Sequence, residues 1–140
     1  MPTIDSIVLD THVWKMYVDG ERFARRVLRR IDGAAATGRL YIAAITIWEI
    51  AMLVHKGHLR LGLPTMEWVT RAINGSRVVV QPLEPTVAVD SMELGVFHGD
   101  PADRMIVATT RHLGGVLVTK DGKILDYADE TESVHVVEPT

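Results

Sequence analysis

The 140-residue chain contains no cysteine, which excludes a disulfide framework, a zinc–thiolate site and a thiol nucleophile. No apolar run approaches the ~18 residues of a membrane span. The start, Met1-Pro2-Thr3-Ile4-Asp5-Ser6, lacks the basic and apolar regions of a secretion signal. A cytoplasmic address is the expectation. Aromatic residues make up only 6% of the chain, and no internal repeat or low-complexity tract interrupts it. Positive charge is not in excess either. With 15 Lys and Arg against 18 Asp and Glu, the formal charge is −3, which on that count alone suits nucleic acid poorly. P-loop and dinucleotide-binding glycine patterns are absent, so ATP and NAD are not implied.

What is present is an ordinary globular composition, 47% hydrophobic and 24% charged. Its length predicts a single domain over residues 1–140 that buries roughly 70% of its unfolded surface. Ile4, Ile7, Val8 and Leu9 form an apolar run ending at Asp10, and β-branched runs recur over 40–43, 78–80, 116–119 and 134–137. These read as buried strands. Helical periodicity occupies 11–18, 21–31, 46–55, 65–73, 86–97 and 102–112. The alternation predicts an α/β fold around a mainly parallel sheet, with chemistry expected beyond the carboxyl ends of the strands.

Four carboxylates stand where strands give way to helices or turns: Asp10, Glu49, Asp103 and Asp121. Each has a local structural role open to it. Asp10 is placed to cap the helix beginning at Thr11, and Thr46 with Glu49 matches a capping box. Asp100, Pro101 and Asp103 fit the N-cap, N1 and N3 positions of the next helix, and Asp121-Gly122 is a turn signal. The coincidence of four acids at matching ends of a parallel domain favours a shared site. Carboxylates brought together repel, and a divalent cation is the natural compensator. Oxygen-only ligation suits Mg²⁺ or Mn²⁺, and such ions support phosphodiester hydrolysis.

The blocks Leu9-Asp10-Thr11-His12-Val13-Trp14, Ile45-Thr46-Ile47-Trp48-Glu49-Ile50-Ala51, His98-Gly99-Asp100-Pro101-Ala102-Asp103-Arg104-Met105-Ile106-Val107-Ala108 and Val118-Thr119-Lys120-Asp121 occur in order over nearly the whole chain. Together they resemble the four motif blocks of PIN-domain ribonucleases, and in particular VapC-type toxins of bacterial toxin–antitoxin pairs. The resemblance implies an α/β/α sandwich whose acidic pocket binds Mg²⁺ or Mn²⁺ and cuts single-stranded regions of RNA. It also implies a cognate antitoxin partner, and a homodimer or a toxin–antitoxin hetero-oligomer. By position, Asp10, Glu49 and Asp103 match the three core acids of these nucleases, and Asp121 matches a more variable fourth. Thr11, Thr46 and Thr119 fall where small hydroxyl residues hold carboxylates, and Asp100 belongs to the same local signature as a cap or water ligand.

Within the segment 21–31, Arg22, Arg25, Arg26, Arg29 and Arg30 fall in an arc of about 140°, a candidate RNA-facing surface or a solvated one. Arg104, beside the pocket, is a candidate phosphate contact or a partner for a nearby acid. His55 and His58 read as solvent-exposed in preference to a zinc pair, and His12 and His98, beside the acidic blocks, as hydrogen-bonded structural residues in preference to RNA contacts. Trp14, Trp48 and Trp68, with Met16, Met52 and Met66, read as core or as a groove for a partner peptide. Two rival functions remain open at this point. One is an aspartyl-phosphate phosphatase or receiver-like domain with Asp10 after its first strand, against which Asp10-Thr11-His12 lacks the second phosphatase Asp. The other is a PIN-like scaffold that binds RNA or protein without catalysis.

Overall fold

In the computed structural model, which describes residues 5–140, the β-branched runs form five short strands with helices between them. Ile4 lies outside the described residues. The order is β1 (Ile7–Leu9), α1 (Thr11–Val18), α2 (Arg25–Ala36), β2 (Leu40–Ala43), α3 (Ala44–His55) and α4 (Thr65–Ser76). There follow β3 (Val79–Gln81), α5 (Pro85–Asp90), α6 (Pro101–Leu113), β4 (Val116–Val118), α7 (Gly122–Thr131) and β5 (His135–Val137). All strand pairs are parallel, in the order β3-β2-β1-β4-β5.

Alternation along the strands divides the interior into two cores, one on each face of the sheet. Ile7 and Leu9 join Trp14 of α1, Ile31 of α2 and Trp68 of α4, whereas Val8 joins Ile106 of α6 and Ile124 of α7. The result is the expected α/β/α sandwich. Because both faces of β1 are covered, its three residues are all apolar and all buried. The Trp14 indole N–H donates to the Ser76 hydroxyl at 3.1 Å, and its ring meets Trp68 edge-on at 5.4 Å. Trp48 departs from a core assignment. It is 57% exposed, because Thr46, Glu49 and Ile50 occupy the inward side of α3.

Several boundaries differ from the sequence expectation for identifiable reasons. The helix expected over 21–31 begins only at Arg25: Gly20 turns the chain at φ +70°, and Phe23 is drawn into the core. Ala24 is extended, and its N–H donates to the Pro139 carbonyl at 2.8 Å. Arg22 therefore precedes the helix that carries Arg25, Arg26, Arg29 and Arg30. The segment expected as a helix over 86–97 is helical only to Asp90. Beyond it, Leu94 and Phe97 insert into the second core through an irregular loop containing Gly95 at φ +80°. The Thr46–Glu49 capping box is not formed, since α3 starts at Ala44 and makes no side-chain cap. The turn at Asp121-Gly122 opens a whole helix, α7, which sequence periodicity did not disclose. Among the described residues no helix is long and apolar enough to cross a membrane.

Gly115 sets how closely β4 can approach the chain before β1: a Cβ there would lie 2.6 Å from the Ser6 carbonyl oxygen. Gly33, inside α2, meets nothing within 4 Å. Gly115→Ala should therefore destabilise by about 1–3 kcal/mol through overpacking. Gly33→Ala should stabilise by up to about 1 kcal/mol through the gain in helix propensity. Urea unfolding of the two variants checks both signs.

Candidate active site

β1 lies between β2 and β4, where successive connections leave in opposite directions along the sheet. A crevice opens at such a switch point beyond the carboxyl ends of the strands. Asp10 leaves β1 there as the N-cap of α1, accepting the Thr11 N–H at 2.8 Å. Its other oxygen accepts the Thr119 hydroxyl at 2.7 Å. Thr119, fully buried just past β4, also accepts the Asp121 N–H at 3.0 Å. One hydroxyl thus ties together two acids far apart in sequence.

Glu49 approaches from α3. The Thr11 hydroxyl donates to its carboxylate and lies 3.1 Å from the Thr46 hydroxyl, so the first and second motif blocks interlock through two buried threonines. Asp103 arrives on the first turn of α6, whose N-cap is Asp100 and whose N1 residue is Pro101. Asp100 accepts the Asp103 N–H at 2.8 Å. Asp121 caps α7, with one oxygen accepting the N–H groups of Lys123 and Ile124 at 3.0 and 3.1 Å. The capping roles of Asp10, Asp100 and Asp121 are all realised, and they coexist with convergence because each cap uses a single oxygen.

The five acids feel one another. Burial raises the Asp10 carboxyl above its ordinary range, against the Thr119 and Thr11 hydrogen bonds that lower it, and the charge of Asp121 adds to the rise. Burial raises Glu49 likewise, opposed by the Thr11 hydroxyl and reinforced by Asp10 and Asp100. Asp103 is pushed up to about 7, first by burial and then by Asp100, Asp121, Asp10 and Glu49. Its carboxylate accepts no hydrogen bond among the described residues, so nothing offsets the repulsion. One carboxylate oxygen each from Glu49, Asp100 and Asp103 lie within 4.8 Å of one another. This all-oxygen donor set, with Glu49 and Asp103 shielded from solvent and Asp100 exposed at its mouth, fits a hard divalent ion such as Mg²⁺ or Mn²⁺. Asp100 therefore sits closer to the centre of the cluster than its motif position suggested.

Other sequence candidates divide clearly. The Arg104 guanidinium donates to the carbonyls of Phe97 at 2.6 Å and Ser91 at 3.3 Å and lies over the Phe97 ring at 5.5 Å. It fastens the irregular loop to α6 and makes no ion pair with an acid among the described residues. Gly99 permits this packing, since a Cβ there would meet the Phe97 ring at 2.4 Å. His55 and His58 are exposed as expected. His12 and His98 are exposed too, in place of hydrogen-bonded structural positions. His12 lies near enough to Asp10 and Glu49 to lower both. Helical spacing could have shown this, because Thr11, Val13 and Trp14 take the inward positions.

The raised Asp103 carboxyl has a consequence for stability. Between its ordinary value of 3.8 and about 7, the folded chain holds a proton that the unfolded chain has released. The associated stability is fully present below the unfolded value and is lost as pH rises through about 7. In a chelator, the melting temperature should therefore fall from pH 6 to pH 8.5, and Asp103→Asn should flatten that fall and raise the melting temperature at the alkaline end. A melting temperature that rises with pH over this range would contradict the assigned repulsion.

Known proteins resemble this chain in sequence and in fold. The family profile described as "PIN domain" matches residues 7–130. Ribonuclease VapC22 of Mycobacterium tuberculosis is 32% identical over 123 residues, covering 85% of this chain and 89% of the relative. Among solved structures, VapBC2 from Rickettsia felis bound to a fragment of its promoter DNA superposes with a TM-score of 0.70 at 14% identity, covering 96% of this chain and 98% of that one. DNA-bound VapBC from Salmonella typhimurium gives 0.65 at 18% identity, covering 95% and 97%. With its parallel sheet, its switch-point acids and a profile match spanning nearly all of its length, the chain belongs to the PIN domain family.

Proposed function

We propose that this protein is a Mg²⁺- or Mn²⁺-dependent endoribonuclease toxin that hydrolyses phosphodiester bonds in single-stranded regions of RNA and is neutralised by a cognate antitoxin. The observation that carries the proposal is the gathering of Asp10, Glu49, Asp100, Asp103 and Asp121 at one switch point, with Asp10, Glu49 and Asp103 held at raised proton affinity. The N-caps account for one oxygen each of Asp10, Asp100 and Asp121, but nothing among the described residues fully offsets the burial and mutual repulsion that raise Asp10, Glu49 and Asp103, and this points to a charged ligand. The relative named as a ribonuclease supports RNA as the substrate, and the VapBC complexes support an antitoxin partner and a hetero-oligomeric assembly.

Asp10, Glu49, Asp100 and Asp103 would hold the ion, with Asp121 at its margin. When bound, it would supply Lewis acidity that lowers the proton affinity of water and offsets negative charge on the phosphoryl group. The remaining work belongs to the chain. Thr119 and the Thr11 N–H fix both oxygens of Asp10, and the Thr11 hydroxyl fixes Glu49. Asp103 keeps its carboxylate oxygens free to take a proton from an attacking water. Attack forms a bond from the water oxygen to phosphorus and breaks the bond from phosphorus to the leaving ribose oxygen, which takes up a proton from solvent, while Asp103 later returns its own to solvent. The same five acids repel an incoming RNA backbone until their charge is offset.

Asp10→Asn and Asp103→Asn should each abolish Mg²⁺-dependent cleavage of total cellular RNA and relieve growth inhibition, with circular dichroism unchanged. Full activity in both variants would sink the assignment. Thr119→Val, which frees one Asp10 oxygen and leaves the Asp121 N–H unpaired, should lower Mn²⁺ affinity by about 10–100-fold. Calorimetry on the variant checks that figure.

A further inference from the structure

The arginine-rich segment lies outside the acidic site, and carboxylates pair with only a part of it. Arg22, Arg25, Arg26 and Arg29 are exposed and form no ion pair among the described residues. Arg30 pairs with Asp5 at 3.0 Å, and Asp32 of the same helix is engaged by the Tyr17 hydroxyl at 2.7 Å. Arg25 and Arg29 stand one turn apart, as do Arg26 and Arg30, so the helix presents two short rows of guanidinium groups. Arg26 and Arg30 also line a cavity of about 480 Å³ between α2 and the segment after β5, where Glu138 is the acid at its wall.

Three backbone hydrogen bonds connect this segment to the catalytic end of the sheet. Asp10 N–H donates to the Val118 carbonyl at 3.1 Å, Thr119 N–H to the Val137 carbonyl at 3.0 Å, and Ala24 N–H to the Pro139 carbonyl at 2.8 Å. They step from β1 across β4 to β5 and on to the start of α2, all at the carboxyl end of the strands. Two inter-strand spacings, about 10 Å, separate the acids from the strand that receives α2. A single-stranded nucleic acid lying along this edge covers that distance within a few nucleotides. A chain of formal charge −3 with its acids at the reaction centre needs a separate cationic surface to hold a polyanion.

We propose that Arg22, Arg25, Arg26 and Arg29 form a subsite for the RNA backbone, binding phosphates a few nucleotides from the scissile bond. The subsite rests on the proposed nuclease function and deepens it by assigning where the length of the substrate is held. Guanidinium groups suit it because they bind phosphate oxygens in a bidentate manner. Uncapped N–H groups in the first turn of α2, where Ala24 offers no side-chain acceptor, add to the attraction.

Equilibrium binding tests the subsite with two fluorescent probes, a random-sequence single-stranded RNA of about 12 nucleotides and a trinucleotide. Asp10→Asn is included in every chain to prevent turnover. Replacing the four arginines by alanine should weaken binding of the longer RNA by at least about tenfold and make its salt dependence shallower by about 3 logarithmic units per decade. Trinucleotide binding should stay unchanged. Glu138→Gln should act in the opposite direction, tightening the longer RNA by about twofold. Unchanged affinity and salt dependence for the longer RNA in the natively folded four-arginine variant would overturn the subsite. Loss of antitoxin binding with RNA affinity intact would also overturn it, because the face would then serve an acidic protein segment. The nuclease function fails separately: a chain that binds the longer RNA through these arginines but, with Asp10 restored, cuts no RNA supports the subsite and counts against catalysis.

Discussion

The fold is organised around an electrostatic conflict. Five carboxylates are delivered to one switch point, and three of them are shifted upward by burial and by one another. Nothing in the hydrophobic interior requires this. The two cores, one on each face of the sheet, would pack as well with neutral side chains at these positions. The acids come together because parallel strands bring all their carboxyl ends to one edge, and because the order β3-β2-β1-β4-β5 places Asp10 at its centre.

Hydrogen bonds from threonine hydroxyls and backbone amides hold the conflict in place without neutralising it. Thr119 spans Asp10 and the backbone of Asp121, and Thr11 spans Glu49 and Thr46. Helix N-termini supply further donors to Asp10, Asp100 and Asp121. The bonds to Asp10 and Glu49 lower the proton affinity of those two carboxyls, and together the bonds fix the directions of the acids before any ligand arrives. Asp103 differs in having no such partner among the described residues, and burial and four neighbouring acids all raise it with no hydrogen bond opposing them. Arg104 contributes at one remove: by fastening the loop through Phe97 and Ser91, it fixes the approach to Asp100.

Much of this was legible in the sequence, for physical reasons that differ from residue to residue. Strands buried on both faces must be apolar throughout, so β1, β2 and β4 stood out, and their ends located Asp10 and Asp121. Asp100-Pro101 announced the start of α6 through the N-cap and N1 preferences. Glu49 was found through its motif, although the local signal beside it misled. Thr46 and Glu49 imitate a capping box, but Ala43 at the end of β2 passes directly into α3, so Thr46 becomes an interior hydroxyl facing Thr11. The start of α2 was misplaced because Phe23 fits the helical period yet is buried from an extended segment. The loop after Asp90 was hidden for a similar reason, since Leu94 and Phe97 are apolar at helical spacing while Gly95 and the Arg104 contacts hold the chain irregular. Helix α7 lacked a strong period and was recoverable only from the Asp121 cap.

Net charge summarises the site badly. The total of −3 counts the acids of the cluster together with the arginines that precede and line α2, although the two groups occupy separate places in the fold. Two divalent ions would carry the formal total from −3 to +1. The central claim is that the acids are assembled for a cation and hold protons in its absence. Calorimetric titration of Mn²⁺ into the metal-free protein at pH 7, in two buffers of different ionisation heat, tests it most directly. Saturable binding accompanied by proton release is the predicted result. No binding, or binding that releases no protons, would contradict it.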